Sequence, residues 1–480
     1  MSKVSAAALM TMGGDARILL DPATGLNRYH SAPRPSLLLA YASSTANDIS
    51  AAAFAHAEEV AAGFGARLSA GDYGEALEAL RGRLRSAYRL PDAADIVFAP
   101  SGTDLEYVAL AAVRGRGAGG THNILLGADE VGSGCIHSAF GRYFANETAL
   151  GLAVTPGAPV AGLGDSHVEM IDIPVRDEEG RAQTSGTIAA AMDEALVAAA
   201  AAGRHVLVHI VHGSKTGLIL PSLGDMDRLR ERYGEHMTFV VDACQARITS
   251  PAIAEYLARD AIVFLTGSKF MGGPPFSGFA ILPPALRNRA PPLAAGLATV
   301  FRRAEWPIGW PGRDVLEDSA NPGLLLRLEA SIFELDRFQR LSLGEVSRVI
   351  LAFHQAVRDH IVDKTPARRV APYPPGQKET ADTHPVEMRT LSTLDLSGFG
   401  TGADFDDAVG WHKALLAHNV RLGQPVKCVR RADGRWGATL RVGLSMPMVT
   451  ERAAMSDEAL ADSFAADMAQ VREALEAVAG

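Results

Sequence analysis

The chain has 480 residues, too many for one compact core and suited to two or three domains of ordinary size. Apolar residues make up 48% and charged residues 21%, a balance that excludes wholesale disorder and a fibrous repeat. The net charge of -9 gives no broad electrostatic reason to bind nucleic acid or an anionic membrane surface, so neither is expected as a partner.

In chain order, residues 1–60 read as an N-terminal arm packed on the body or on a partner subunit. Its first residues lack a convincing apolar core before Gly13-Gly14-Asp15, so no signal peptide is expected. From 61 to 300 short apolar or β-branched runs alternate with helical segments, the pattern of a large α/β domain with a mostly parallel, seven-stranded, doubly wound sheet. The strands are expected at 95–98, 123–126, 169–173, 205–211, 238–241, 261–265 and 279–282. Their apolar interiors suit strands covered on both faces. Helices are clearest at 104–113 and 187–201; the latter carries Asp193 and Glu194, and no stretch is long and apolar enough to span a membrane. Prolines at 283–284 and 291–292 mark a boundary. A linking segment at 301–369 holds helical spacing from 324 to about 362. Residues 370–480 read as a small α+β domain: strand 386–396, helix 406–418, strand 438–444, helix 457–478. The cysteines, Cys135, Cys244 and Cys428, form no Cys-x-x-Cys pair, which points away from disulfides and cysteine-zinc sites and toward a reducing cytoplasm.

Three strand ends carry the candidate chemistry. At Phe264-Leu265-Thr266-Gly267-Ser268-Lys269 an apolar strand delivers a lysine into a Gly/Pro loop, where α/β sheets place ligands. Such an amine forms a Schiff base with a carbonyl when desolvation or a neighbouring cation depresses its pKa; the alternative is a solvated loop lysine. At Thr238-Phe239-Val240-Val241-Asp242 a strand ends in a carboxylate, which either holds a pyridinium nitrogen protonated or merely caps a helix. At Pro100-Ser101-Gly102-Thr103 a strand turns into a helix whose free N–H groups suit a phosphate, although such residues also cap ordinary helices.

Together these residues resemble the fold type I pyridoxal-phosphate-dependent enzymes, especially the class V aminotransferase and cysteine desulfurase branch. The match covers roughly residues 90–290. The resemblance implies that Lys269 carries the Schiff base and moves protons, that Asp242 pairs with the pyridine nitrogen, and that Gln245 bonds the phenolic oxygen. Gly102, Thr103, Thr266 and Ser268, with Ser101 beside them, would hold the phosphate. His212 or Ser214 could approach the cofactor, Arg441 in Thr439-Leu440-Arg441-Val442 would clamp the substrate carboxylate, and Ser319 would serve the phosphate of a neighbouring subunit in a homodimer. The residue stacking on the ring falls near Asp129-Glu130-Val131-Gly132, with Val131 or His137 as candidates.

Three further patterns are set aside. His205, His209 and His212 do not share one strand face, so no metal site is expected. Gly213-Ser214-Lys215-Thr216 lacks the upstream glycine of a phosphate-binding loop, and the glycines at 115–120 follow a helix rather than a strand. The resemblance thus implies a cytoplasmic enzyme using pyridoxal 5'-phosphate on an amino acid, an aminotransferase with a 2-oxo acid as second substrate. The alternatives are a lyase catalysing β-elimination or decarboxylation, and a non-catalytic homologue. A desulfurase is disfavoured because no cysteine lies between 370 and 420.

Overall fold

The computed structural model describes residues 4–64, 67–128, 130–132, 134–164, 167–377, 385–400 and 402–480. The strands, in chain order, are β1 (Leu39–Tyr41), β2 (Asp95–Ala99), β3 (Thr121–Leu126), β4 (Val168–Ile173), β5 (His205–His212), β6 (Ile219–Leu220), β7 (Met237–Asp242), β8 (Ile262–Thr266), β9 (Gly278–Leu282), β10 (Arg368–Val370), β11 (Leu391–Asp395), β12 (Val420–Leu422) and β13 (Thr439–Gly443). The large sheet has the order β2-β9-β8-β7-β5-β3-β4, with β6 paired to β5. All seven expected strands form, each within a residue or two of its expected bounds at either end. Strands β2, β3, β5, β8 and β9 are buried along their whole length, whereas β4, at the sheet edge, exposes its middle. Helices cover the apolar faces, which is why these strands read as continuous apolar runs rather than alternating ones.

Direction decides where chemistry can sit. Neighbours from β4 to β8 run parallel, and β9 is antiparallel to both β8 and β2. Strand β2 therefore points the same way as β8, and the carboxyl ends of β2, β5, β7 and β8 open on one edge of the sheet. That edge is where an open α/β sheet takes its ligands.

The small sheet is antiparallel, in the order β10-β11-β13. Its middle strand is shorter than the expected 386–396, because Val386–Met388 winds into a 3-10 turn after Pro385. The helical stretch expected from 324 to 362 is two helices, Pro322–Phe338 and Leu343–Val357, the second running on through Val362. Ser342 and Glu345 form a reciprocal capping box that starts the second helix afresh.

Residues 1–60 are more structured than an extended arm. The alanine-rich Ala51–Ala62 is helical, capped by Ser50, and joins Leu326 and Ala330 of Pro322–Phe338 in one apolar cluster. Strand β1 pairs in parallel with β12. The residues after β1 run between the two sheets: the Ser43 hydroxyl donates to the Leu444 carbonyl at 2.6 Å, and the Asn47 amide donates to the carbonyls of Ser268 at 3.0 Å and Lys269 at 2.6 Å. Among the described residues no helix is long and apolar enough to cross a membrane, and no cluster of His, Cys, Asp and Glu could hold a metal ion.

Candidate active site

A cavity of about 270 Å³ lies at the carboxyl ends of β2, β5, β7 and β8, and Arg441 of β13 with Ser44 and Thr45 of the arm closes it. It gathers ten of the expected site residues: Lys269, Asp242, Gln245, Ser101, Gly102, Thr103, Thr266, Ser268, Ser214 and Arg441.

Lys269 follows the end of β8, and its amine donates to the Thr45 carbonyl. Burial, and then the charges of Arg441, Lys215 and Arg247, bring its pKa down to about 7. The amine is thus a free nucleophile near neutrality, the condition for Schiff-base chemistry. Asp242 ends the adjacent strand β7. Burial pushes its carboxyl up, while the Cys244 N–H at 2.9 Å, Lys215 and Lys269 pull the other way. One amine and one carboxylate therefore face the same space from neighbouring parallel strands.

A hydroxyl-rich wall faces them. Gly102 has no room for a side chain, since a Cβ there would stand 2.9 Å from the Thr266 Cγ2 and 3.4 Å from the Cys244 Sγ. The Thr266 hydroxyl donates to the Cys244 carbonyl at 2.7 Å, and Ser268 donates to the Thr266 hydroxyl at 3.3 Å. Thr103 lines the same wall. Ser101 differs from expectation: its hydroxyl donates to Asp104 at 2.6 Å, so its proton is turned from the cavity into the helix start. Burial raises Asp104 to about 7, against the pull of Ser101 and Arg17.

Arg441 is buried, and among the described residues it donates to neutral acceptors: the carbonyls of Gln424 (2.9 Å), Ser44 (3.2 Å) and Lys215 (3.3 Å) and the Thr45 hydroxyl (3.1 Å). Desolvation lowers it to about 10. Gln245 is held from both ends, its amide donating to the Ser44 carbonyl at 3.1 Å and its carbonyl accepting from Arg247 at 2.6 Å.

Two expected residues lie elsewhere. His212 ends β5 with its side chain on the far face, its Nδ1 2.8 Å from the Tyr256 hydroxyl, and it lines a different cleft. The period-two alternation of a strand places it opposite the cavity, and Gly213, with φ of 70°, then turns the chain so that Ser214 and Lys215 enter it. Ser319 lies outside the cavity of its own chain. Ser214 does line the cavity, but its hydroxyl donates to Glu130 at 2.8 Å and is not free for a ligand. Of the stacking candidates, Val131 lines the cavity with an apolar face, and His137 is exposed outside it. Asp129 falls outside the described residues.

The sequence reading missed the residues that brace the site. The buried Glu130 carboxylate accepts from Arg176 at 2.8 Å, from the Ser214 and Thr216 hydroxyls at 2.8 and 2.9 Å, and from the Thr216 N–H at 3.0 Å. Burial alone would raise Glu130; Arg176 and these hydrogen bonds outweigh it and hold the carboxyl below its ordinary value. Arg17 of the arm also lines the cavity. It is paired with Asp15 at 2.7 Å and has its guanidinium 4.8 Å from the Phe276 ring and 5.0 Å from the Phe144 ring. No local pattern announces either residue, since each reaches the site through a contact distant in sequence.

No family model and no curated protein matches the chain. Solved structures do. The cysteine desulfurase CsdA of Escherichia coli superposes with a TM-score of 0.56 at 15% identity, over 92% of this chain and 95% of that one. The cysteine desulfurase of Thermococcus onnurineus NA1 gives 0.55 at 16% identity, over 91% and 95%. The ureidoglycine-glyoxylate aminotransferase of Bacillus subtilis gives 0.53 at 11% identity, over 92% and 93%. The chain therefore has the fold of these cysteine desulfurases and of this aminotransferase. At these identities the likeness establishes the fold, and the reading of the site rests on its own geometry.

Proposed function

We propose that the protein is a pyridoxal-phosphate-dependent enzyme acting on an amino acid, with transfer of the amino group to a 2-oxo acid as its reaction. The observation that carries this reading is the pairing, across one cavity, of an amine depressed to about 7 with a carboxylate from the adjacent strand. The fit extends to the wall: a Cβ at Gly102 would crowd Thr266 and Cys244, so its absence leaves backbone bare in a cavity that Thr103, Thr266 and Ser268 also line, which suits a phosphate approaching backbone and hydroxyls closely. Pyridoxal phosphate, when bound, supplies a conjugated ring that takes up the electron pair released at the substrate's Cα.

The protein's own residues do the rest. Lys269 would hold the aldehyde through its Nζ until the substrate's amine displaces it, and the freed Nζ would then take up and return the α-proton. Asp242 would hold a proton on the cofactor's ring nitrogen, Gln245 would orient the cofactor through its side-chain amide, and Val131 would exclude water beside it. Arg441, whose partners are all neutral, offers its charge to the substrate carboxylate. The thiols disfavour desulfuration: Cys135 and Cys244 line the cavity but burial pushes both well above the ordinary value, and Cys428, pushed up to about 12, lies outside it. In a homodimer of this enzyme, Ser319 would serve the cavity of the second copy. The organisation we favour is a cofactor domain at 61–300, a link at 301–369 and a small domain at 370–480, in a cytoplasmic setting.

Purified protein given pyridoxal phosphate should absorb near ~410–430 nm, and borohydride should then fix the cofactor's mass on residue 269. A colourless protein with residue 269 unmodified overturns the reading. A panel of amino acids then separates the reactions: conversion of the cofactor to its amine form marks transamination, and ammonia release without it marks a lyase.

A further inference from the structure

Two buried polar groups that the proposed reaction leaves unused lie beneath Asp242. On β5, His209 stands opposite Val240 of β7, and Val211 stands opposite Asp242. Residues two apart on a strand share a face, and so do paired residues of adjacent strands, so His209 and Asp242 lie on the same face of the sheet, one step apart along neighbouring strands. The helix Leu105–Val113 covers that face: its Leu105 and Val108 join Leu207, Val240 and Phe264 of the sheet in one apolar cluster. The second residue of this helix, Glu106, turns into the sheet with its Oε2 3.4 Å from the Nε2 of His209, the two side chains being 3% and 4% exposed. Among the described residues neither atom has a closer polar partner. Beyond burial, the charges of Glu106 and Asp242 both raise the thiols of Cys135 and Cys244, which line the catalytic cavity, so Glu106 lies just below the cavity floor.

An acid and an imidazole buried together can hold one proton in two ways. As carboxylate and imidazolium they would form a buried ion pair, which is favourable only when further hydrogen bonds satisfy the remaining atoms. Among the described residues no such bond reaches Glu106 Oε2 or His209 Nε2, so the site supports the neutral form, with the proton on Glu106 and the bare Nε2 of His209 accepting it. Burial acts in the same sense: it brings His209 down to about 3, and burial with the charge of Asp242 behind it raises Glu106 well above its ordinary value. Two neighbouring carboxyls in a desolvated space do not both ionise. Asp242 is drawn toward its charged form by the Cys244 N–H, Lys215 and Lys269, whereas Glu106 faces the imidazole. We propose that Glu106 and His209 are positioning residues for Asp242: by keeping a proton on Glu106, the imidazole leaves Asp242 as the single anion available to the cofactor's ring nitrogen. This role rests on the proposed cofactor chemistry and extends it below the cavity floor.

Infrared spectroscopy of the full-length protein without cofactor tests where the proton sits. At neutral pH one carbonyl band of a protonated carboxylic acid should be lost in Glu106→Gln and retained in Asp242→Asn. The consequence for Asp242 is read by NMR in protein loaded with pyridoxal phosphate carrying an isotope-labelled ring nitrogen. The pH midpoint at which that nitrogen loses its proton should fall by about one unit in His209→Phe, which keeps a ring against Phe264 but removes the acceptor, the tenfold effect of one hydrogen bond to an ionisable group. The midpoint should hold in Glu106→Gln, whose amide still donates to His209 and cannot ionise. It should return to the wild-type value in the double variant His209→Phe/Glu106→Gln, where no competing acid is left. A merely structural pair makes the double variant at least as impaired as His209→Phe, and that result overturns the proposal. So does an acid band that survives Glu106→Gln, or a Glu106→Gln midpoint displaced as far as that of His209→Phe. The infrared measurement needs neither the cofactor nor a folded His209→Phe, so a protein that takes up no pyridoxal phosphate fails the proposed function, while a misplaced proton fails this inference even where the cofactor binds.

Discussion

The depressed lysine gives a direct test of the site's electrostatics. An ordinary lysine titrates at 10.5 and Lys269 at about 7. The gap corresponds to about 5 kcal/mol of preference for the neutral amine, so at pH 7 half of the Lys269 amines are free against about one in 3,000 for a solvated side chain. Competitive acetylation with trace acetic anhydride, followed by peptide mass spectrometry, reads this fraction as a function of pH in protein without cofactor. Labelling of residue 269 should rise to half its maximum near pH 7, while other lysines rise above pH 9. Arg441→Gln, which removes the largest charge contribution, should move the midpoint upward. The midpoint should not return to 10.5, because burial is the larger cause and remains. A wild-type midpoint above about 9.5, or an Arg441→Gln midpoint that falls, would refute the account of how the nucleophile is prepared.

Three other outcomes are expected from the same contacts. Glu130→Gln leaves the buried Arg176 without its counter-charge and should cost about 3–5 kcal/mol in urea denaturation at pH 7. Since the folded state holds Glu130 below its ordinary value, the stability it contributes is present at neutral pH; it should drain away as pH falls from the ordinary glutamate value through the lower folded one, and the variant should lack that part of the acid limb. Gly102→Ala places a Cβ 2.9 Å from Thr266 and should weaken pyridoxal phosphate binding by about 1–3 kcal/mol in a fluorescence titration. Arg17→Met, which keeps the bulk between Phe144 and Phe276 but removes the charge, should lower affinity for pyridoxal phosphate about tenfold and leave that for pyridoxal unchanged, because Arg17 lines the same cavity as Gly102 and Thr103.

Much of this site was readable because it is built from strand ends. A strand covered on both faces writes itself as an apolar run, and the first polar residue after such a run stands at the sheet's edge, as Asp242 and the Thr266 to Lys269 turn do. What strand parity decides was readable in principle: His212 belongs to the face opposite the cavity, and Gly213 reverses the direction taken by Ser214 and Lys215. Lys215 illustrates the converse, since Gly213-Ser214-Lys215-Thr216 is no phosphate-binding loop, yet the same turn carries Lys215 into the catalytic cavity. Strands β1 and β12, three residues each, are too short for an alternating pattern to register in a sequence window. Arg176 reaches Glu130 across 46 positions and Arg17 reaches the cavity from the arm, contacts that only the folded chain creates.

The cations around the catalytic cavity act as one set. Lys269, Arg441 and Arg247 are each lowered first by burial, and the charge of Arg441 lowers the other two. A core chosen for stability alone would pair these groups with carboxylates or replace them with apolar side chains. Here the well-compensated acid in the neighbourhood, Glu130, is committed to Arg176, and Asp242 must serve the ring nitrogen in the proposed reaction. Arg441 and Arg247 are therefore held by neutral oxygens that fix their geometry without cancelling their charge. That arrangement costs stability in the free protein, and an anion bound in the catalytic cavity would restore it, so the residues that tune Lys269 also favour a negatively charged ligand there.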